Sequence, residues 1–260
     1  MANWTLHLGD CLDPVMGLAS LPDKSVDHVI CDPPYEAEAH TMGRRAFSGA
    51  SDEFGKGGVA ERPLDFDPIT EDQRYLAGQQ FARLSRRWVL VFCQIEAAMK
   101  WRDALVNAGL TYKRSCIWVK PGAAPQFTGD RPGMGYETVV ACHAPGRSTW
   151  NGGGAHGVFT HTLESHGDRF HTTQKPVALM DQLVSLFTDP GELVLDPFAG
   201  SGTTGVACIR NGRRFLGWER DPKYHAAALK RLQGTHEQPG LFDRSPKTKP
   251  KQHTLLGGDK

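Results

Sequence analysis

The run Asp32-Pro33-Pro34-Tyr35 puts a carboxylate, two backbone-stiffening residues and an aromatic ring in immediate succession, a set suited to chemistry on an aromatic amine. Such an amine, adenine N6 or cytosine N4, is a poor nucleophile because its lone pair is delocalised into the ring. If Asp32 Oδ and the Pro33 carbonyl oxygen each accept one N–H, the nitrogen is drawn toward tetrahedral geometry and its lone pair is aimed at an electrophilic methyl group. The prolines fix φ and remove competing donors, and Tyr35 offers a face for stacking. No covalent intermediate is required. Taken alone, the same four residues also read as a stiff turn with Asp32 as a cap.

A second run, Asp196-Pro197-Phe198-Ala199-Gly200-Ser201-Gly202-Thr203-Thr204, follows a short apolar strand and opens a helix. Glycines here allow positive φ and close approach of a ligand to the backbone, and the helix start offers free N–H groups to a carboxylate or phosphate. About 20 residues further on, the next strand ends in Trp218-Glu219, where an acidic side chain can accept from both hydroxyls of a ribose. A phosphate loop needs a lysine before its Ser or Thr, which this run lacks, and the dinucleotide glycine pattern is incomplete. A tight strand-to-helix turn with no ligand is the alternative for this run by itself.

Both runs need strand ends to hold them. Residues 4–8 alternate as a strand, a short helix is expected over 12–21, and the β-rich run 26–31 stops where Pro33 and Pro34 forbid further pairing. Residues 36–70 are rich in Gly, Arg, Asp and Glu with little periodicity and are expected to form an insertion loop, functional or mobile. Helices are expected over 71–86 and 96–108, strands over 88–92 and 115–119, and an antiparallel strand over 136–141 because only a short Gly/Pro loop precedes it. Residues 145–169 form a second irregular, glycine-rich and aromatic insertion. The last third reads helix 177–187, strand 193–195, helix 203–211, strand 215–218 and helix 224–232. Such alternation predicts a mostly parallel sheet covered on both faces. The organisation expected is one catalytic domain over 1–233 and a flexible, Lys- and Pro-rich tail over 234–260.

Composition narrows the class. With 260 residues, 39% hydrophobic and 23% charged, the chain can bury a sizeable core, and no stretch approaches the roughly 20 apolar residues of a membrane span. The first ten residues lack a basic segment followed by an apolar one, so the expected location is the cytoplasm. Six cysteines without a C-x-x-C pair read as small core residues rather than bridges or zinc ligands. The net charge of +1 gives no global pull toward nucleic acid, so any phosphate contact must come from local clusters.

Together the two runs closely resemble the amino-methylating DNA methyltransferases, in the permuted β-class order with the catalytic run before the cofactor run. The resemblance covers about residues 5–232. It implies a Rossmann-like S-adenosylmethionine-dependent methyltransferase fold, a three-layer α/β/α sandwich whose mostly parallel sheet carries an antiparallel hairpin at one edge. Asp32, Pro33, Pro34 and Tyr35 would be catalytic. S-Adenosylmethionine would be held by Asp10 and Cys11 of an early acidic turn, Asp32, Lys175 and Pro176 of the segment before the turn, Asp196, Pro197, Phe198, Gly200, Ser201, Gly202, Thr203, Thr204, Glu219 and Arg220. Asp10 would contact the cofactor's adenine, and Lys175 with its neighbours would help hold the methionine moiety.

The substrate implied is double-stranded DNA, with the target base flipped out of the stack. Segment 145–170 stands at the position of the family's recognition region. Arg44, Arg45, Arg131, Arg147, Trp150 and Arg169 are the candidate DNA contacts, with Lys56 and Arg62 nearby in the first insertion; a solvated charged face is the plainer reading of such clusters. His156, His161, His166 and His171 recur every five residues, which fits neither a helix face nor a zinc pattern, so DNA contact or coincidence is expected rather than metal. Asp as the first residue of the catalytic run leans by resemblance toward adenine N6. Cytosine N4 methylation uses the same chemistry, and a DNA-binding regulator with a degraded site is a different class. Cytosine C5 chemistry lacks its Pro-Cys. A homodimer is compatible with the resemblance; a restriction partner is too, though nothing in the chain indicates one.

Overall fold

The structure, a computed structural model, describes residues 3–35, 67–123, 132–164 and 174–237 in full and the backbone of 45–51 and 57–61. The strands are β1 (Trp4–Leu8), β2 (His28–Cys31), β3 (Arg45–Ser51), β4 (Gly57–Glu61), β5 (Trp88–Cys93), β6 (Thr111–Val119), β7 (Tyr136–His143), β8 (Val158–Thr160), β9 (Leu193–Asp196) and β10 (Arg214–Glu219). The helices are α1 (Glu71–Leu84), α2 (Ala98–Asn107), α3 (Val177–Phe187), α4 (Thr203–Arg210) and α5 (Pro222–Glu237).

Eight strands form one sheet in the order β1-β10-β9-β2-β5-β7-β6-β8, and β7 alone runs against its neighbours. The strands at its centre are buried on both sides, so their side chains feed two cores in strict alternation. Val29, Cys31, Val89, Val91 and Cys93 face one core with Phe81 and Leu84 of α1 and Trp101 and Leu105 of α2. Ile30, Leu90 and Phe92 face the other with Leu179, Leu183 and Phe187 of α3, Val206 of α4 and Leu232 of α5. This is the expected three-layer α/β/α arrangement. All six cysteines are buried and none is bridged to another, as their apolar settings predict.

Four expectations need revision. Residues 12–21 do not form a helix: Asp13 Oδ1 accepts from the amides of Val15 and Met16, Leu18 N–H turns back to Cys11 O at 2.8 Å, and only a single 3₁₀ turn, Leu18–Ser20, follows. Gly17 permits that fold-back, since a Cβ there would lie 2.3 Å from Cys11 O. The insertion 36–70 is not all loop, because β3 and β4 pair as an antiparallel hairpin with an irregularity between Phe47 and Ser51. The irregular segment 145–169 contains β8, which pairs parallel to β6, so the β6–β7 hairpin stands one strand in from the sheet edge. Finally, α5 continues as helix to Glu237, past the expected start of the tail; residues 238–260 lie outside the described residues.

Candidate active site

Strand order reverses between β9 and β2. From β9 the chain passes through α4 to β10 on one side; from β2 it passes through α1 to β5 on the other. Loops leaving the C-terminal ends of the two strands therefore diverge and open a crevice, the position at which open α/β sheets bind ligands. Asp196 closes β9 and Asp32 follows β2 directly, so both chemical runs meet there. A cleft of about 660 Å³ joins them, lined among others by Asp10, Asp32, Tyr35, Phe198, Gly200 and Glu219.

The Asp196 run is a rigid turn. Asp196 is buried; its Oδ1 accepts from Phe198 N–H at 3.0 Å and its Oδ2 from Thr204 Oγ1 at 2.5 Å. Burial pushes its carboxyl up to about 7, despite those two donors, with Asp32 and Glu219 adding to the rise. Gly200 and Gly202 have φ of +52° and +79°, and a Cβ on Gly202 would come within 3.0 Å of Ala228 Cβ on α5. Glycine at 202 is thus required twice over, by conformation and by helix packing. Glu219 ties the turn to the adjacent strand: Oε2 accepts from Gly200 N–H at 2.8 Å and Oε1 from Asp221 N–H at 2.7 Å. Each of those carboxylate oxygens keeps a second lone pair. Asp10 likewise uses one oxygen locally, accepting from Leu12 N–H at 2.8 Å.

Around Asp32 the arrangement is ionic. Lys175, immediately before α3, is buried and places Nζ 2.5 Å from Asp32 Oδ2, 3.1 Å from Tyr35 Oη and 3.2 Å from Glu137 Oε2. The Tyr35 hydroxyl donates to Glu137 Oε2 at 2.5 Å, and Lys120 Nζ donates to Glu137 Oε1 at 3.1 Å. Burial raises the Asp32 carboxyl, Lys175 opposes the rise and Glu137 reinforces it. Burial would also raise Glu137, but Lys175 and Lys120, with the Tyr35 hydroxyl, hold it down at about 2. Asp32 Oδ1 is shielded from solvent and has no hydrogen-bond partner among the described residues.

The cleft brings together most of the residues singled out from sequence: Asp10, Cys11, Asp32, Pro33, Pro34, Tyr35, Lys175, Asp196, Pro197, Phe198, Gly200, Ser201, Thr203, Thr204, Glu219 and Arg220. Pro176 caps α3 and Gly202 caps α4, both outside its lining. Arg147 and Trp150 are not brought to it. Trp150 packs on Phe187 at the far end of α3, with ring centroids 5.5 Å apart, and Thr149 beside it binds Arg87 and Trp88 at the opposite end of the sheet. Arg44, Arg131, Arg169, Lys56, Arg62, His166 and His171 lie outside the described residues, as does the Arg45 side chain. His161 meets Gln182 of α3 at 2.7 Å, and among the described residues no group of His, Cys, Asp or Glu is placed to hold a metal.

Sequence reasoning missed residues 67–70 with Gln73, Arg231 and Glu137, and took in Gln174 only as a neighbour of Lys175. Residues 67–70 and Gln73 line the cleft from the start of α1, where Thr70 and Gln73 form a capping box that shows as a T-x-x-Q pattern. Gln174 bridges Ser201 Oγ at 3.0 Å and Glu164 at 2.5 Å, and Arg231 Nη1 reaches Ser201 O at 2.7 Å; these bonds tie the Lys175 segment and α5 to the glycine turn. Glu137 left no local signal, because its partners are distant in the chain.

Residues 147–230 match a family model described as DNA methylase. Over that stretch the chain is similar to the DNA methylases. The Type II methyltransferase M.HinfI of Haemophilus influenzae is 27% identical over 90% of this chain and 70% of its own length. Among solved structures, M1.HpyAVI in complex with SAM superposes with a TM-score of 0.66 at 24% identity, covering 88% of this chain and 98% of that one. The cytosine-N4-specific PvuII DNA methyltransferase gives 0.66 at 17% identity over 94% of each chain. The fold is that of these DNA methyltransferases, and the resemblance carried by Asp32-Pro33-Pro34-Tyr35 and the Asp196 turn stands. The stretch matched to the DNA methylase model holds the glycine turn and Glu219; the cleft geometry joins Asp32 to them.

Proposed function

We propose that the protein transfers a methyl group from S-adenosylmethionine to an exocyclic amine of a base in double-stranded DNA, and that the amine is N6 of adenine. The observation that carries this is the state of Asp32: one carboxylate oxygen is pinned by Lys175 and the other is buried and has no donor among the described residues. A buried acceptor without a partner is costly, and an amine N–H would satisfy it.

The cleft suits the proposed cofactor. Its volume of about 660 Å³ is in the range of small-molecule sites. Among its polar groups, the acceptors Glu219 and Asp10 would fit ribose hydroxyls and an adenine amine, and the turn of Gly200 to Thr203 with the first amides of α4 would fit a carboxylate. Phe198 and Ile69 supply apolar lining. Lys175 is engaged by Asp32 and Glu137, so the carboxylate would rely on the turn rather than on that ammonium. Bound S-adenosylmethionine would supply a methyl group on a positively charged sulfur.

In this reading Asp32 Oδ1 and the Pro33 carbonyl oxygen each accept an N–H of the amine and hold its lone pair out of conjugation. Lys175 fixes Oδ2 so that the carboxylate does not rotate. The raised proton affinity of Asp32 lets its carboxylate receive the proton that the methylated nitrogen releases. The base must leave the duplex stack to reach this depth, at a cost of about a few kcal/mol. Adenine is preferred because Asp opens the catalytic run. A reading as cytosine N4 is favoured by the same lone-pair chemistry and by the fold shared with the PvuII enzyme.

The test is incubation with labelled S-adenosylmethionine and mixed-sequence duplex DNA, followed by digestion to nucleosides. N6-methyladenine is expected. N4-methylcytosine would change the base, and tight DNA binding without incorporation would replace the enzyme by a regulator.

A further inference from the structure

Glu137 stands at the start of β7, the one reversed strand, and this reversal alone brings a strand's N-terminal residue to the end of the sheet where the other strands finish. Its carboxylate is the hub of the ionic group. Oε2 takes the Tyr35 hydroxyl at 2.5 Å and lies 3.2 Å from Lys175 Nζ, while Oε1 takes Lys120 at 3.1 Å. Lys175 is further fixed by the rings of Tyr35 and Phe92, its Nζ lying 5.2 and 5.3 Å from their centroids. Without Glu137 the ammonium would keep a single anion among the described residues, and the Tyr35 hydroxyl would lose this acceptor in a buried setting.

We propose that Glu137 is a positioning residue of the Asp32 site: it anchors Tyr35 and one side of Lys175, so that Lys175 caps Asp32 Oδ2 and leaves Oδ1 for the amine. This rests on the methyl-transfer reading. The arrangement also has an electrostatic consequence. The Glu137 charge strengthens the hold of Asp32 on a proton, Lys175 weakens it, and Lys120, bound to the far oxygen of Glu137, offsets Glu137. Among the described residues, the other titratable groups facing this cluster are Asp196 from the end of β9, the Tyr35 hydroxyl, and the thiols of Cys31 and Cys93. Replacing Glu137 and replacing Lys120 must then move Asp32 in opposite directions, which a purely structural role for either residue does not require.

The experiment uses the full chain with ¹³Cγ-labelled aspartate, the Asp32 signal being assigned by its loss in Asp32→Asn, alongside pH profiles of transfer from labelled S-adenosylmethionine to duplex DNA. In Glu137→Gln the Asp32 titration and the acid limb of kcat are expected to move down by about one pH unit, and in Lys120→Gln up by about half a unit. In Glu137→Gln kcat is expected to fall about tenfold, with the KM for S-adenosylmethionine unchanged. Titrations that stay in place, or move the same way in both variants, overturn the proposal. So does a Glu137→Gln loss confined to the KM for S-adenosylmethionine. If Glu137→Gln does not fold, the upward shift in Lys120→Gln decides alone. Wild-type protein that transfers no methyl group at any pH overturns the functional reading, while the Asp32 titration still tests the role of Glu137.

Discussion

Strand β2 has a charged cluster at each end. At its start, His28 is fully buried, with Nε2 2.7 Å from Glu192 Oε2 and Nδ1 facing Trp88 N–H at 3.4 Å. Glu192 Oε2 also accepts from Asp189 N–H at 2.6 Å, and its Oε1 binds Arg87. At the other end Asp32, Lys175, Glu137 and Tyr35 form a cluster of similar charge and burial, yet Asp32 Oδ1 has no donor among the described residues. The lower cluster closes on itself and joins β2, β5 and the start of β9. The upper one leaves one acceptor atom, Asp32 Oδ1, without a partner among the described residues. Buried charge serves stability where it is fully paired and function where one acceptor is left over.

The largest effect should come from breaking the open cluster. Asp32→Ala is expected to reduce methyl transfer by at least about 10²- to 10³-fold, with affinity for S-adenosylmethionine largely kept; calorimetry and a transfer assay read the two separately. Breaking the closed cluster should do the reverse. Glu192→Ala leaves His28 and Arg87 facing each other and should lower unfolding free energy by about 3 kcal/mol, read from urea midpoints, while kcat at low temperature stays within about twofold. Gly202→Ala combines a positive φ with the contact to Ala228 and should cost about 2 kcal/mol. It should also weaken binding of S-adenosylmethionine, because the strain falls on the turn.

The smallest effects are on pH dependence. Hydrogen bonds and charge from His28, Asp189 N–H and Arg87 overcome the burial penalty and hold Glu192 at about 2 against an ordinary 4.5. Its contribution is therefore present above about 4.5 and is lost as pH falls toward 2. Glu192→Gln should flatten that part of the stability curve. Asp196 has the opposite sign: with its carboxyl raised from 3.8 to about 7, the folded state holds a proton that the unfolded chain has released, so stability falls as pH rises between those values. Asp196→Asn keeps the acceptor for Phe198 N–H and should flatten that fall.

The sequence displays the two runs because each is local: prolines after a β-rich stretch and glycines between a strand and a helix mark their own geometry. The layers were legible for the same reason, since α3 shows an apolar helical pattern and β9 a short apolar run. The helix expected over 12–21 failed because Asp13 and Gly17 satisfy the backbone in a turn before any helix can propagate. β8 was hidden by its length of three residues. The links that turn separate motifs into a site were not legible at all. Lys175 was read with the cofactor, yet its ammonium meets Asp32, 143 positions away, and Glu137 meets Tyr35 across 102. Such pairs follow from strand order, which no local pattern reports. The same applies to Trp150: its composition suggested a contact surface, and the path of the chain after β7 carries it to the closed end.

The pairing of β1 with β10 sets Trp4 beside Phe215. During synthesis the ribosome delivers β1 and Asp32 early, whereas the strand that must flank β1 and the turn that must face Asp32 emerge only in the last third. A contact so distant in the chain is slow to close and exposes its edges meanwhile. β1 must therefore wait as an unpaired ribbon on the nascent chain, and the crevice at the strand reversal cannot take shape until Glu219 has left the exit tunnel.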